Sequence, residues 1–109
     1  MISKVFAVLD TKVKAYMAPW LQANVPSGVR AFTDACLDEN PSNQFRKHPH
    51  DFVLMELGEF DDSTGTFTTN EHGPTRVASA FEVLPPEITN PRDLFTKQVE
   101  EAIEEGEED

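Results

Sequence analysis

The sequence predicts an α+β domain, in which a small, mostly antiparallel sheet carries one helix on a face and a C-terminal helix ends in an acidic tail. Three observations carry that class. Residues 51–67, DFVLMELGEFDDSTGTF, hold a nearly unbroken apolar run, a cluster of Asp, Ser and Gly, and then strand formers. Residues 28–39 repeat apolar side chains at helical spacing. Residues 2–10 and 76–84 are short apolar runs bounded by turn residues.

The chain opens with Val5, Phe6, Ala7, Val8 and Leu9, a first strand placed at or near the centre of the sheet. Asp10–Thr11 reads as a bend, and Lys12–Ala15 as a short edge stretch whose lysines guard against strand-to-strand aggregation. Pro19 cannot donate to a ladder, so Tyr16–Trp20 is edge or loop. Ser27 is read as the cap of a helix over 28–39. Val29, Phe32, Cys36 and Leu37 share one face of it, Arg30 and Asp34 are spaced to pair, and Pro41 follows its end.

A polar loop then fills 40–51. Phe52, Val53, Leu54, Met55 and Leu57 form the central strand, apolar on both faces, with a hairpin tip over Glu59–Gly65 and a return through Thr66–Thr68. Arg76–Leu84 is a further strand, stopped by Pro85–Pro86. Asn90–Pro91–Arg92–Asp93 starts a last helix over 91–104 with an apolar stripe of Leu94, Phe95, Val99, Ala102 and Ile103. The division is a core domain over 1–90 and a helix with acidic tail over 91–109.

A chain of 109 residues has room for one domain, and one of this size gains from forming a homodimer. No apolar stretch reaches the ~18 residues that a membrane span needs. The N-terminal run lacks a cleavage site and reads as a strand, and the single Cys36 fits a reducing compartment. Net charge is −11 but uneven: residues 1–50 carry +2, 51–99 carry −6 and 100–109 carry −7. A simple polycation mode of DNA binding is excluded, while a local basic face is not.

Such a face has candidates. Lys12, Lys14, Tyr16 and Trp20 lie together near the N-terminus, Phe45, Arg46 and Lys47 in the 40–51 loop, and Arg30 on the helix between them. Rings that stack on bases and cations that track phosphates are what single-stranded nucleic acid requires. The competing reading makes the rings core residues and the lysines solvated surface. His48, His50 and Asp51 are close, with His72 apart, but they match no metal-ligand spacing, and Asp61–Gly65 is a turn rather than a calcium loop. Cys36 sits on an apolar helix face without a nearby histidine, and alternation places Glu56 and Glu59 on opposite faces. No catalytic residue, metal or cofactor is expected, and the chain is not read as an enzyme. The acidic tail is expected to solubilise, to recruit partners or to occupy a basic groove.

Three stretches, KVFAVLDTKVKAYMAPW, VRAFTDACLDEN and FRKHPHDFVLMELGEFDDSTG, resemble in order the small nonstructural protein of gokushoviruses, a branch of the Microviridae, which are single-stranded DNA phages. The most specific portions are His48–Pro49–His50–Asp51 and Leu57–Gly58–Glu59–Phe60–Asp61–Asp62. From Pro85 onward the resemblance carries nothing. It implies a DNA-binding protein made in the infected bacterial cytoplasm and absent from the virion. Its action would fall where replication turns from double-stranded intermediates to single-stranded genomes for packaging. It supplies no site residues. The alternative is an acidic adaptor that contacts capsid, scaffold or replication initiator without touching DNA.

Overall fold

A computed structural model of the chain describes residues 1–89. The expected helix over 91–104 and the acidic tail lie outside the described residues. The elements run β1 (Ile2–Asp10), β2 (Ala15–Tyr16), β3 (Trp20–Gln22), α1 (Val25–Leu37) and α2 (Gln44–Lys47). They continue as β4 (Phe52–Asp61), β5 (Thr66–Thr69), β6 (Thr75–Ser79), α3 (Ala80–Val83) and α4 (Pro86–Thr89).

The two apolar runs become the two long central strands. β1 and β4 pair antiparallel from Ile2 opposite Asp61 to Asp10 opposite Phe52. The outer edge of β1 is shared by β2 and β3, and that of β4 by β5 and β6, every pairing antiparallel. Two bulges curl the sheet. Leu57 is the extra residue between Glu56 and Gly58 on β4, and Val77 the extra residue on β6. Asn70 supports the first bulge, its backbone N–H donating to the Leu57 carbonyl and its side-chain amide to the Glu56 carbonyl. The α+β class read from the sequence is the one observed.

All four described helices cover one face of the sheet. Phe6 and Val8 of β1 and Phe52 and Leu54 of β4 meet Phe32 and Cys36 of α1 and Ala80 of α3. Phe6, Phe32, Leu54 and Cys36 are fully buried. Each large apolar side chain of this kind stabilises the fold by ~1.5–3 kcal/mol. Gly28 lets α1 lie directly on Phe6: a Cβ there would stand 2.5 Å from the ring. Gly58 has φ +157° and faces the β5 backbone, where a Cβ would meet the Thr68 carbonyl oxygen at 2.1 Å.

Several local expectations are corrected. α1 starts three residues earlier than read, because Asn24 rather than Ser27 is the cap. The Asn24 side chain accepts from the Ser27 N–H, and Ser27 answers as the third helical residue, with a proline inside the first turn. Lys12–Lys14 form the turn before β2 rather than an edge stretch, with Lys14 left-handed at φ +58°. The 40–51 loop contains α2, capped by Asn43. β4 continues through Gly58 to Asp61, which shortens the hairpin tip to Asp62–Gly65. The 76–84 strand ends at Ser79, whose side chain caps α3 by accepting from the Glu82 N–H. Arg30 and Asp34 do not approach within ion-pair distance.

Candidate nucleic-acid interface

A cleft opens beside the helix-covered face, between the 17–20 segment, α1 and α2. One part has a volume of about 300 Å³ and is lined by Met17, Trp20, Ala31, Phe32, Ala35 and Phe45, among others. A second part of about 410 Å³ continues past Met17 and Phe45 to Asp10, Asn43 and Gln44. The lining of the first part is almost wholly apolar. Three local features build it. The Met17 N–H still donates to the Val8 carbonyl, but the β1 edge then breaks at Ala18–Pro19 before Trp20 returns opposite Phe6. Small side chains at Ala31 and Ala35, one helical turn apart, leave space on α1. Asn43 fastens α2 beside the end of α1: its amide donates to the carbonyls of Ala35, Cys36 and Asp38, and its oxygen accepts from the Phe45 N–H.

None of the cations read from the sequence lines the cleft; they adjoin its lining residues in sequence, in two groups. The β1–β2 turn with Lys12 and Lys14 is tied to the loop after α2, since the Thr11 N–H and hydroxyl both donate to the Asp51 carbonyl. Lys12, Lys14, Arg46 and Lys47 thus share one end of the sheet. Arg30 is exposed on α1, one residue before Ala31. Among the described residues, none of these five has a carboxylate within 4.0 Å, whereas Lys4 and Arg76 do. Asp10, Asp38, Glu39 and Asp51 are at the same end, and two of them are engaged by backbone. Asp10 accepts from the Lys12 N–H at 3.0 Å, and Asp38 from the Asn40 N–H at 3.0 Å. Arg46 donates to the Leu37 carbonyl at 3.0 Å, which caps α1 and leaves its other N–H groups available.

The three rings differ in role. Tyr16 is 45 % exposed on the short strand beyond the lysine turn. Trp20 is half-buried, leaning on Phe6 at 5.9 Å between ring centroids, with its remaining surface on the cleft. Phe45 is edge-on between Phe32 and Phe52, at 5.7 and 4.9 Å, so it is both a core side chain and part of the cleft wall. Sequence reading missed Met17, Ala31 and Ala35, which have no distinguishing chemistry until the fold lines them up. It also missed Asn43, for which Asn ahead of QFRK was a usable capping signal.

Elsewhere several charges pair locally. The Leu57 bulge resets the alternation of β4, which corrects the placement of Glu56 and Glu59 on opposite faces. Both lie on one face, and Lys4 bridges them at 3.3 and 2.9 Å. Hydrogen bonds from Lys4 to Glu59 and Glu56 hold its ammonium above the usual lysine range. At the hairpin tip, donation from Ser63 lowers the Asp61 carboxyl, and the terminal ammonium of Met1 pairs with Asp62 at 2.7 Å. Arg76 pairs with Glu82 and lowers its carboxyl. Burial pushes the Cys36 thiol up to about 12, which keeps it un-ionised. His50 stacks on Phe81 at 4.1 Å, and no cluster of metal-ligating side chains forms among the described residues.

The fold and site define a small α+β protein with an apolar, ring-lined cleft. The chain belongs to the Phage ORF5 protein family, whose profile matches residues 3–83. That match spans β1 to the end of α3, including the cleft and all five cations, and stops short of the acidic tail. No curated protein and no solved structure is similar to the chain at a significant level. No described helix is long and apolar enough to cross a membrane.

Proposed function

We propose that this phage protein is nonstructural and binds single-stranded DNA in the host cytoplasm as replication turns to single-stranded genomes. Lys12, Lys14, Arg30, Arg46 and Lys47 contact phosphates, and Tyr16, Trp20 and Phe45 offer ring surface to bases. One observation supports this reading above others: five cations with no carboxylate within 4.0 Å among the described residues flank in sequence the segments that line the apolar cleft, Lys12 and Lys14 between Asp10 and Met17, Arg30 before Ala31, and Arg46 and Lys47 after Phe45. A base sliding onto an exposed ring contributes ~1–3 kcal/mol, and a cleft of this kind accepts unpaired bases more readily than a duplex. The resemblance to gokushovirus nonstructural proteins points the same way.

Trp20 is the single tryptophan and lies in the cleft wall, so its emission reports ligand directly. Titration with a single-stranded oligonucleotide should quench it, with weaker quenching by the matching duplex. Unchanged emission and no mobility shift at low salt would refute the reading.

A second reading, a protein-contact module, is favoured by the face of the sheet that no described helix covers. The register puts Leu21, Phe60 and Phe67 on the side of Val5, and Phe67 is 66 % exposed. A second copy of this chain is the occupant that the homodimer expectation supplies. Sedimentation of the native chain and of Phe67→Asp decides it: a dimer that dissociates supports this contact, and a monomer in both cases rejects it.

A further inference from the structure

We infer that Asp10 makes the cleft selective among bases: it accepts hydrogen bonds from the N–H groups of guanine and disfavours thymine. The selectivity rests on the single-stranded DNA reading of the cleft, and names the base that the cleft takes best.

The two parts of the cleft differ in chemistry. The first, walled by Met17, Trp20, Phe32 and Phe45, offers ring and methyl surface, which holds any base without distinguishing it. The second adds Asp10, Ser42, Asn43 and Gln44. The donors of this polar end are already engaged. The Asn43 amide donates to the carbonyls of Ala35, Cys36 and Asp38 at 2.9, 3.2 and 2.8 Å. The Ser42 hydroxyl donates to the Asn40 side-chain oxygen at 2.8 Å, and the Gln44 amide to the Ser42 carbonyl at 3.3 Å.

Asp10 keeps capacity to accept. Its Oδ1 accepts from the Lys12 and Val13 N–H groups at 3.0 and 3.4 Å, and among the described residues no hydrogen bond reaches its Oδ2. Alternation along β1 places Asp10 on the face of Phe6 and Val8, opposite Phe52, which also lines this part of the cleft. A carboxylate is an acceptor only, and it repels an anion, so the group that enters here is neutral and brings N–H donors. Of the four bases, guanine alone sets a ring N–H beside an amino group on its pairing edge. Cytosine and adenine bring one amino group each. Thymine brings one N–H between two carbonyls, and those carbonyls face the carboxylate. The phosphates stay outside the cleft, where Lys12 follows Asp10 by two residues and Arg46 and Lys47 follow Phe45.

The test titrates the full chain, at low salt, with a short labelled oligothymidine and with the same strand carrying one central guanine. The guanine strand should bind about tenfold more tightly. A strand with hypoxanthine in that place, which keeps the ring N–H but lacks the amino group, should fall between them. In Asp10→Asn the side-chain oxygen can still accept from Lys12 and Val13, so the turn is kept, while the new amide supplies a donor. That variant should bind the guanine strand more weakly and the thymine strand more tightly than the native chain, bringing the two within about twofold. Equal binding of all three strands by the native chain would overturn the inference and leave the DNA reading standing. A guanine preference that survives Asp10→Asn, or weaker binding of both strands by that variant, would overturn it as well. Binding of none of the strands by the native chain would overturn the DNA reading and the inference with it.

Discussion

Replacing Gly28 with alanine tests how closely α1 is seated on the sheet, and therefore whether the cleft has the wall described. The added Cβ would meet the Cζ, Cε2 and Cε1 atoms of Phe6 at 2.5, 2.6 and 2.9 Å. Carbon atoms rest about 3.5–4.0 Å apart, so helix or ring must shift by about 1 Å. Phe6 has nowhere to go: it is 0 % exposed and has Trp20 against its ring. Overpacking of this kind costs ~1–3 kcal/mol, while alanine regains up to ~1 kcal/mol of helix propensity. The expected net is a loss of about 0.5–2 kcal/mol, read as a lower urea midpoint at unchanged slope. Phe6→Leu in the same chain should relieve part of the loss, giving a coupling of about 1 kcal/mol in a double-mutant cycle. Because Ala31, Phe32 and Ala35 follow on the same helix, lifting α1 should also blue- or red-shift Trp20 emission. A midpoint equal to or above that of the native chain would refute the close seating.

Two further outcomes follow from the same geometry. Lys14→Gly should raise stability by about 0.5–1 kcal/mol in urea denaturation, because a non-glycine residue holds φ +58° there, yet lower the salt dependence of single-stranded DNA binding by ~0.7 in slope. Lower stability, or an unaltered slope, would contradict the role given to that turn. Asp61→Asn should lower the urea midpoint at pH 7, and by less at pH 3. The folded-state carboxyl is depressed by Ser63, so its contribution is present above the unfolded-state pKa and lost as pH falls through the folded one. A difference that persists undiminished at pH 3 would contradict it.

Periodicity made much of this fold legible. Apolar runs gave β1 and β4, the Asp–Ser–Gly cluster gave their hairpin partner, and Phe32 with Cys36 gave the buried stripe of α1. The errors fall where a local polar signal has two uses. Pro26 and Ser27 look like loop residues but serve the first turn of a capped helix, and Ser79 ends a strand by capping α3. The Leu57 bulge changes strand parity, which alternation alone cannot foresee, and so Glu56 and Glu59 come to share Lys4. Of the candidate site, charge and aromatic type were visible residue by residue. Which cations lack an acid partner, and that Met17, Ala31 and Ala35 complete one cleft with Trp20 and Phe45, are properties of tertiary placement.

The salt dependence of oligonucleotide binding addresses the account at its centre. For the full chain, log Kobs against log salt should fall with a slope of about −3, as four to five cations release counterions from single-stranded phosphates. Reversing Lys12 and Lys47 to Glu should flatten it by more than half, whereas Arg76→Gln, whose cation already has Glu82, should leave it unchanged. A flat salt dependence, or equal losses from Arg76 and from the two lysines, would contradict the assignment of that cleft to nucleic acid.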